Sequence, residues 1–270
     1  MSTFIQIPNR INQLTSKSKL NEIFTYAAIR SQIKDSSYRA AIPQKQSAEL
    51  TGVNERTIRN YIDTLTEAGL ITDTTKQHGL GEYDHNVYKM DYLSEDYFMM
   101  NPMMITEESI EPKLKGLLML IKTYCYKGTN CLPFNSKEHL ANMLHIGKNQ
   151  IASYLRELEE KGFIRIMEKT VILSKKYFYL SVKDNLYNQL YETIYDYCLS
   201  QDVVPPYKDA DRNDIGLIAA AFPHQDLLLS TLKNRCPKLP RNVTMSYITK
   251  VLRNREAETT ETTKYEIHID

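Results

Sequence analysis

The chain has 270 residues, of which 42% are hydrophobic and 25% are charged, and its net charge is +1. This length exceeds one ordinary domain, and the composition excludes a largely disordered chain. No basic leader with a following apolar stretch and no run of about 18 apolar residues occurs, so we expect a soluble cytoplasmic protein without a membrane segment.

The positive charge is concentrated in one part of the chain. Residues 109–183 carry a net charge of +7, whereas residues 1–90 carry +2, residues 91–108 carry −5 and residues 184–270 carry −3. Because contacts to phosphate supply most non-specific affinity for nucleic acid, this asymmetry favours an anionic partner.

Residues 44–71 have the pattern of two short helices joined by a turn at Thr51-Gly52-Val53. In the second helix, apolar side chains recur at helical spacing from Ile58 to Leu65. Gly69 follows, where a helix commonly ends in the left-handed conformation. The segment therefore predicts a helix-turn-helix whose polar side chains point outward.

A second copy of this pattern lies 93 residues further along the chain, where Tyr61 aligns with Tyr154 and Gly69 with Gly162. Ile58 aligns with Ile151 and Leu65 with Leu158, so the apolar positions coincide while the outward positions differ. The repeat predicts one scaffold used for two different contacts.

Both copies have the same flanking pattern. An amphipathic helix beginning near Leu20 or Leu114 and a short apolar strand, 38–43 or 131–134, precede each copy. After each glycine, alternating segments predict a hairpin: 70–72 with 87–90 around a loop at 76–81, and 163–167 with 177–182 around a loop at 169–176.

The pattern A-x-L-x-G-V-x-x-x-T-I-x-x-Y-I-x-x-L-x-x-x-G-L-I at 48–71 resembles the winged helix-turn-helix superfamily, including bacterial regulators and plasmid or phage replication proteins. We therefore expect a mainly α fold with small β-hairpins, made of two tandem winged-helix domains and a C-terminal helical extension. The expected divisions are an N-terminal arm at 1–16, winged-helix domains at 17–90 and 112–183 with an acidic linker at 91–111 between them, a helical region at 184–256 and a disordered tail at 257–270.

The outward positions supply candidate DNA contacts. A helix in the major groove reads guanine with Arg and adenine with Asn or Gln, and a wing touches phosphate or the minor groove. The candidates are Asn54, Arg56, Thr57, Arg59 and Asn60 in the first copy, Lys148, Asn149, Gln150, Ser153 and Arg156 in the second, and Lys76, His78, Lys169, Lys175 and Lys176 in the wings. Ser136 is instead interpreted as a helix N-cap, and Tyr61 and Tyr154 as packing residues.

The sequence offers no pattern for catalysis, so we expect a protein that is not an enzyme and binds no cofactor. No nucleotide-binding loop, H-E-x-x-H, G-x-S-x-G or His-x-His pattern occurs. The four cysteines are scattered without a C-x-x-C pair, which predicts reduced, mostly buried thiols and no metal site. The polar wing of the first copy accounts for His78 and His85.

The last third predicts an amphipathic helix at 184–201, a linker at 203–214 and two or three short helices interrupted by prolines. Residues 246–255 are similar to the end of the helical domain in the primosome protein DnaD and in phage replisome organisers. Tyr247, Val251 and Leu252 match that pattern, and Arg255 replaces its Trp.

These observations favour a plasmid or phage replication-initiation protein that binds double-stranded origin DNA through both copies. The resemblance at the C-terminus implies host replication proteins as partners there, and a homodimer is left open. A transcriptional regulator with the same winged helices is the alternative, and a scaffold that binds proteins is the second.

Overall fold

The computed structural model describes residues 4–77, 85–181, 185–206 and 212–253. Over these ranges the chain forms eleven helices and three small antiparallel sheets, which confirms a mainly α fold with small hairpins. The expected tail at 257–270 and the first-wing residue His78 lie outside the described ranges.

The first repeat follows a short N-terminal strand. In chain order the elements are β1 (Ile5–Pro8), a 3-10 turn (Asn9–Gln13), α1 (Lys19–Arg30), β2 (Arg39–Ile42), α2 (Gln44–Thr51), α3 (Glu55–Glu67), β3 (Asp73–Gln77) and β4 (His85–Lys89). Strand β4 pairs with β2 on one side and β3 on the other.

The second repeat has the same order of elements. After β5 (Tyr97–Met100) and α4 (Met103–Thr106), the chain forms α5 (Pro112–Tyr124), β6 (Cys131–Pro133), α6 (Lys137–Leu144), α7 (Lys148–Glu160), β7 (Ile164–Met167) and β8 (Thr170–Leu173). The strand order β6-β8-β7 corresponds to β2-β4-β3 of the first repeat.

Backbone conformation explains where the helices stop. Gly69 and Gly162 follow α3 and α7 with φ of 68° and 75°, the left-handed conformation that glycine adopts without a steric penalty. This confirms the interpretation of Gly69. At the turn between the two helices, Gly52 is left-handed in the first repeat and His145 in the second.

Both predicted hairpins need correction. The first begins at Asp73, because Leu70 and Ile71 are buried directly after α3 and do not belong to the strand. The second turns at Glu168-Lys169 and returns through β8, not through residues 177–182. The β-branched run Thr170-Val171-Ile172 forms a fully buried strand immediately, since Glu168 takes a left-handed φ of 51° and makes a tight turn.

Strand β5 lies in the segment expected to be an acidic linker. It pairs antiparallel with β1, with Ile7 opposite Phe98, and Met100 forms an isolated bridge with Phe178. The segment therefore contributes apolar side chains to the core, although its charge pattern alone resembles that of a connector.

Both repeats share one hydrophobic core. The described residues within Met1–Cys125, Leu132–Ile166 and Val171–Tyr179 form one compact unit, and a single buried cluster includes Ile58 of α3 and Ile151 of α7. Helices α1 and α5 cross closely: a β-carbon at Gly116 would lie 1.8 Å from the Leu20 carbonyl oxygen.

The second compact unit is formed mainly by the described residues of Leu180–Asp270. Its helices are α8 (Leu186–Ser200), α9 (Arg212–Ala221), α10 (Gln225–Arg235) and α11 (Met245–Arg253), which confirms the predicted helical pattern. The hydroxyl of Tyr191 donates to the Pro206 carbonyl over 2.9 Å, and that of Tyr197 donates to the Cys236 carbonyl over 2.5 Å. These hydrogen bonds satisfy the hydroxyl groups of two buried tyrosines in α8.

Candidate nucleic-acid interface

The outer face of α3 begins with a capping residue. Asn54 is the N-cap, and its side-chain oxygen accepts from the Thr57 backbone N–H at 2.9 Å and from the Thr57 hydroxyl at 3.0 Å. A capping oxygen that is occupied in this way orients the first turn of the helix. Of the predicted contacts, Asn54 and Thr57 are thus already hydrogen-bonded to each other.

The remaining candidates on α3 are exposed. Arg56, Arg59 and Asn60 all lie on the solvent side of the helix. Arg59 Nε donates to Gln44 Oε1 at 3.1 Å, and its guanidinium lies 3.8 Å from Glu55 Oε2. Because these contacts are exposed, they orient Arg59 but contribute little stability.

Gln44 is a positioning residue that the sequence pattern did not indicate. It is the first residue of α2, and the turn between the helices brings it beside Arg59 of α3. The signal available in the sequence was its place at the start of α2, but the contact spans fifteen residues and depends on the angle between the two helices.

The outer face of α7 carries a different set of side chains. Lys148, Asn149, Gln150, Ser153 and Arg156 are all exposed. Lys148 Nζ lies 3.4 Å from Glu138 of α6, and Gln150 Nε2 donates to the Tyr154 hydroxyl at 2.6 Å. Gln150 is therefore held by a neighbour one turn along the same helix, which leaves its amide oxygen for a further contact.

Helix α7 also differs from α3 at its start. Its N-cap is Gly147, which has no side chain to satisfy the first backbone N–H groups, whereas Ser136 caps α6 by accepting from the His139 N–H at 3.1 Å. The capping role predicted for Ser136 is confirmed.

The two aligned tyrosines have unequal environments. Tyr61 is buried, with 7% of its surface exposed, and its hydroxyl lies 3.5 Å from Asn21 Nδ2 of α1. Tyr154 is half-buried, and Lys113 Nζ of α5 lies 5.6 Å from the centre of its ring. Both rings lie beside the first helix of their own repeat, as the packing interpretation requires.

The wing candidates are spread over two kinds of location. Lys76 is exposed near the end of β3, and Lys169 is exposed in the tight turn between β7 and β8. Lys175 and Lys176 follow β8 and are outside the turn; Lys176 Nζ lies 4.8 Å from the centre of the Tyr177 ring. Only Lys169 remains at the tip of the second hairpin.

The hydroxyl of Tyr177 donates to Glu107 Oε2 at 2.5 Å, and Ser109 donates to the other oxygen. These hydrogen bonds, together with the charge of Lys176, lower the pKa of Glu107 to about 2. The contact joins the end of the acidic segment to the chain that follows β8.

Burial lowers the pKa of two lysines in the first compact unit. Lys115 Nζ donates to the Ile105 carbonyl at 2.9 Å and lies 4.8 Å from the centre of the Phe24 ring, while Lys19 Nζ donates to the Leu144 carbonyl. Both lysines are buried, so neither adds to the exposed positive charge of the chain.

Within the described ranges, no group of three or more His, Cys, Asp or Glu side chains is placed to hold a metal ion. All four cysteines are described, none is in a disulfide, and Cys131, Cys198 and Cys236 are buried. Burial, aided by the nearby Cys131, raises the pKa of Cys198 to about 12.

No single helix in the described part of the chain is long and apolar enough to cross a membrane. Helices Asp214–Ala221 and Gln225–Arg235 reach that length and apolar composition only when they are taken together, and the chain bends by 105° between them.

A family model for a helix-turn-helix domain matches residues 108–164. The match covers α5, β6, α6 and α7, so the second repeat contains a helix-turn-helix domain, which is consistent with binding to double-stranded DNA. No curated protein and no solved structure matches the chain.

Proposed function

We propose that the chain is a protein that binds double-stranded DNA sequence-specifically through two tandem winged helices and performs no catalysis of its own. The observation that carries this proposal is the helix-turn-helix match at 108–164, with a second copy of the same element order at 19–89. In each copy the second helix of the motif has an exposed polar face, which is what a helix in the major groove requires.

The different outer faces support a reading role for both helices. Arg56 and Asn60 on α3 align with Asn149 and Ser153 on α7, while the buried positions of the two helices remain apolar. Both outer faces carry side chains that can pair with base edges, Arg56 and Asn60 on α3 and Asn149 and Gln150 on α7. Because the two sets differ, we infer that α3 and α7 read different bases.

Selection of DNA fragments by the purified protein, followed by titration of single variants, tests this proposal. Arg56→Ala and Gln150→Ala should each weaken binding to the selected site by about 1–3 kcal/mol and relax the preference at particular bases. Lys169→Ala removes a positive charge at the hairpin tip and serves as the matched control. It should weaken binding to all sequences alike. If the two helix variants lose the same affinity on random and on selected DNA, α3 and α7 do not read bases.

We further propose that the bound DNA is a plasmid or phage replication origin and that the C-terminal helices recruit host replication proteins. The similarity of residues 246–255 to the helical domain of DnaD and phage replisome organisers supports this proposal. In α11, Leu252 is buried and Tyr247 is 37% exposed, whereas Arg255 lies outside the described residues.

The position of the selected site distinguishes this role from transcriptional regulation. A replication initiator should bind repeated sites, and a plasmid that carries them should depend on the protein for its maintenance. A regulator should bind a site that overlaps a promoter and should change the output of a reporter gene. Reporter repression without any effect on plasmid maintenance would contradict the replication role.

A further inference from the structure

Equivalent helices of the two repeats contact each other. Under the shift of 93 residues, α1 corresponds to α5, and these two helices meet where Gly116 lies against the Leu20 carbonyl. Two equivalent elements can contact each other through a two-fold rotation or through a head-to-tail relation, and these differ in one respect. A two-fold rotation makes every contact reciprocal: if residue i touches j of the other copy, then j touches i.

The contacts at the ends of the helices are reciprocal. Lys19, at the start of α1, donates from Nζ to the carbonyl of Leu144 at the end of α6. The equivalents of these two residues are Pro112, at the start of α5, and Thr51, at the end of α2. A β-carbon at Gly52, the next residue after Thr51, would lie 3.8 Å from Pro112 Cγ. The end of α2 therefore approaches the start of α5, as the end of α6 approaches the start of α1.

Contacts between equivalent ends in both directions, one a hydrogen bond and the other van der Waals proximity, indicate that the repeats are related by an approximate two-fold axis passing between α1 and α5. A rotation about an axis preserves position along that axis and reverses directions across it. Helices α3 and α7 therefore lie at the same height along the axis and run in opposed directions across it. A DNA duplex has two-fold axes of its own, perpendicular to its length, which is why symmetric helix-turn-helix dimers bind inverted half-sites.

We propose that one copy of the chain reads DNA as an internal dimer, and that its target consists of two unequal half-sites in inverted orientation at a fixed spacing. This inference rests on the proposed function. The half-sites are inverted because of the two-fold axis, and they are unequal because the outer faces of α3 and α7 differ.

The spacing is fixed because the two repeats cannot move independently. Gly116 allows the backbones of α1 and α5 to touch, and Lys115 of α5 lies over the ring of Phe24 of α1. A single buried cluster extends through both repeats. Insertion of base pairs between the half-sites should therefore abolish the gain from the second half-site, since the protein cannot stretch to follow it.

Exchange of the reading faces tests the orientation directly. Six outward positions in the first nine residues of α7 are replaced by their α3 equivalents, and the variant is used to select DNA; the changes are Lys148→Glu, Asn149→Arg, Gln150→Thr, Ala152→Arg, Ser153→Asn and Arg156→Asp. The selected site should become a true palindrome built from the first half-site. The reciprocal exchange, which places the α7 residues on α3, is the matched control and should give a palindrome of the second half-site. Two copies in the same direction would overturn the proposal.

A second measurement keeps the proposal testable if an exchanged variant does not fold. Arg56→Cys and Asn149→Cys occupy equivalent positions, and each can carry a DNA-cleaving iron chelate on an otherwise wild-type face, after Cys125→Ser removes the half-buried thiol. At saturating protein, the two probes should give cleavage patterns that exchange strands across the centre of the site. Patterns that favour the same strand would overturn the inverted arrangement.

These results separate the two proposals. A wild-type protein that selects no DNA sequence contradicts the proposed function itself. A protein that selects a site with its halves in the same direction retains that function and contradicts only the inverted arrangement of the half-sites.

Discussion

At the scale of single residues, the structure divides the predicted contact residues by what already holds them. Asn54 is committed to capping α3, and Arg59 is oriented by Gln44 and Glu55, whereas Arg56 and Asn149 are exposed at equivalent positions. The sequence predicted which side chains lie outside, because helical periodicity is a local property. The sequence did not distinguish an Asn that caps a helix from an Asn that is available to contact a base, because this distinction depends on where the helix begins.

The unequal burial of Tyr61 and Tyr154 leads to a prediction about stability. Truncation of a large buried aromatic side chain costs about 3–5 kcal/mol, so Tyr61→Ala should lose stability of this order. Tyr154→Ala should lose less, because that ring is half-buried. Tyr154→Phe should cost at most about 1 kcal/mol, since it removes only the hydrogen bond with Gln150. Denaturant unfolding measures all three.

Binding titrations at low temperature on the same three variants then separate packing from contact. We expect DNA binding to fall only where the protein unfolds. A Tyr154→Ala protein that unfolds like the wild type but no longer binds DNA would contradict the packing role.

Glu107 provides a pH-dependent contribution to stability. Its pKa is lowered from the usual 4.5 to about 2 by the hydrogen bonds from Tyr177 and Ser109. A carboxylate with a lowered folded-state pKa stabilises the protein above its unfolded pKa, and the contribution is lost as the pH falls from about 4.5 towards 2. Glu107→Gln should therefore reduce stability at neutral pH and flatten the acid side of the stability profile.

The size of this effect is limited by solvent screening, because Glu107 is only half-buried. Glu160→Gln removes an exposed carboxylate at the end of α7 and serves as the control. An acid profile that is the same for Glu107→Gln and the wild type would show that the Tyr177 contact does not stabilise the fold.

At the scale of elements, the helices were predictable and the long-range pairings were not. The repeat and its apolar spacing predicted α3 and α7, and Gly69 and Gly162 marked where they end. Strand β1 pairs with β5 across sequence separations of 89 to 95 residues, and nothing within either segment indicates its partner. The second hairpin was misplaced for a related reason: its tight turn contains no glycine, and Glu168 takes the left-handed conformation instead.

The crossing of α1 and α5 gives a prediction with an internal control. Alanine is normally the better helix former, so Gly→Ala in a helix interior stabilises by about 0.5–1 kcal/mol. Gly216→Ala in α9 should show this gain, because apart from the adjoining stretch of its own helix no atom lies within 4 Å of the added carbon. Gly116→Ala should destabilise instead, since its β-carbon would collide with the Leu20 backbone and force the helices apart.

Thermal and denaturant unfolding of the two variants measure the difference in sign. Gain of stability at both positions would mean that α1 and α5 do not approach as closely as described, and would remove the reason for a fixed spacing between the half-sites.

At the scale of the whole molecule, the net charge of +1 conceals the distribution that matters for DNA. Residues 109–183 carry +7, but Lys115 and Lys122 in this range are buried, so the accessible charge is carried by exposed side chains such as Lys148, Arg156 and Lys169. The second repeat should consequently contribute more of the non-specific affinity than the first.

The final prediction concerns the salt dependence of this affinity. Each phosphate contact releases counterions, so the slope of log affinity against log salt falls by about one for each contact that is lost. Lys169 is exposed at the turn between β7 and β8, where the proposed function would place a contact to the DNA backbone, so Lys169→Ala should reduce the slope by about one on any sequence. Lys233→Ala removes an equal, exposed charge from α10 and should leave the slope unchanged. Fluorescence anisotropy on random-sequence DNA across a salt series measures both slopes. If the two variants give the same slope, then overall charge governs the attraction, and the hairpin tip makes no phosphate contact.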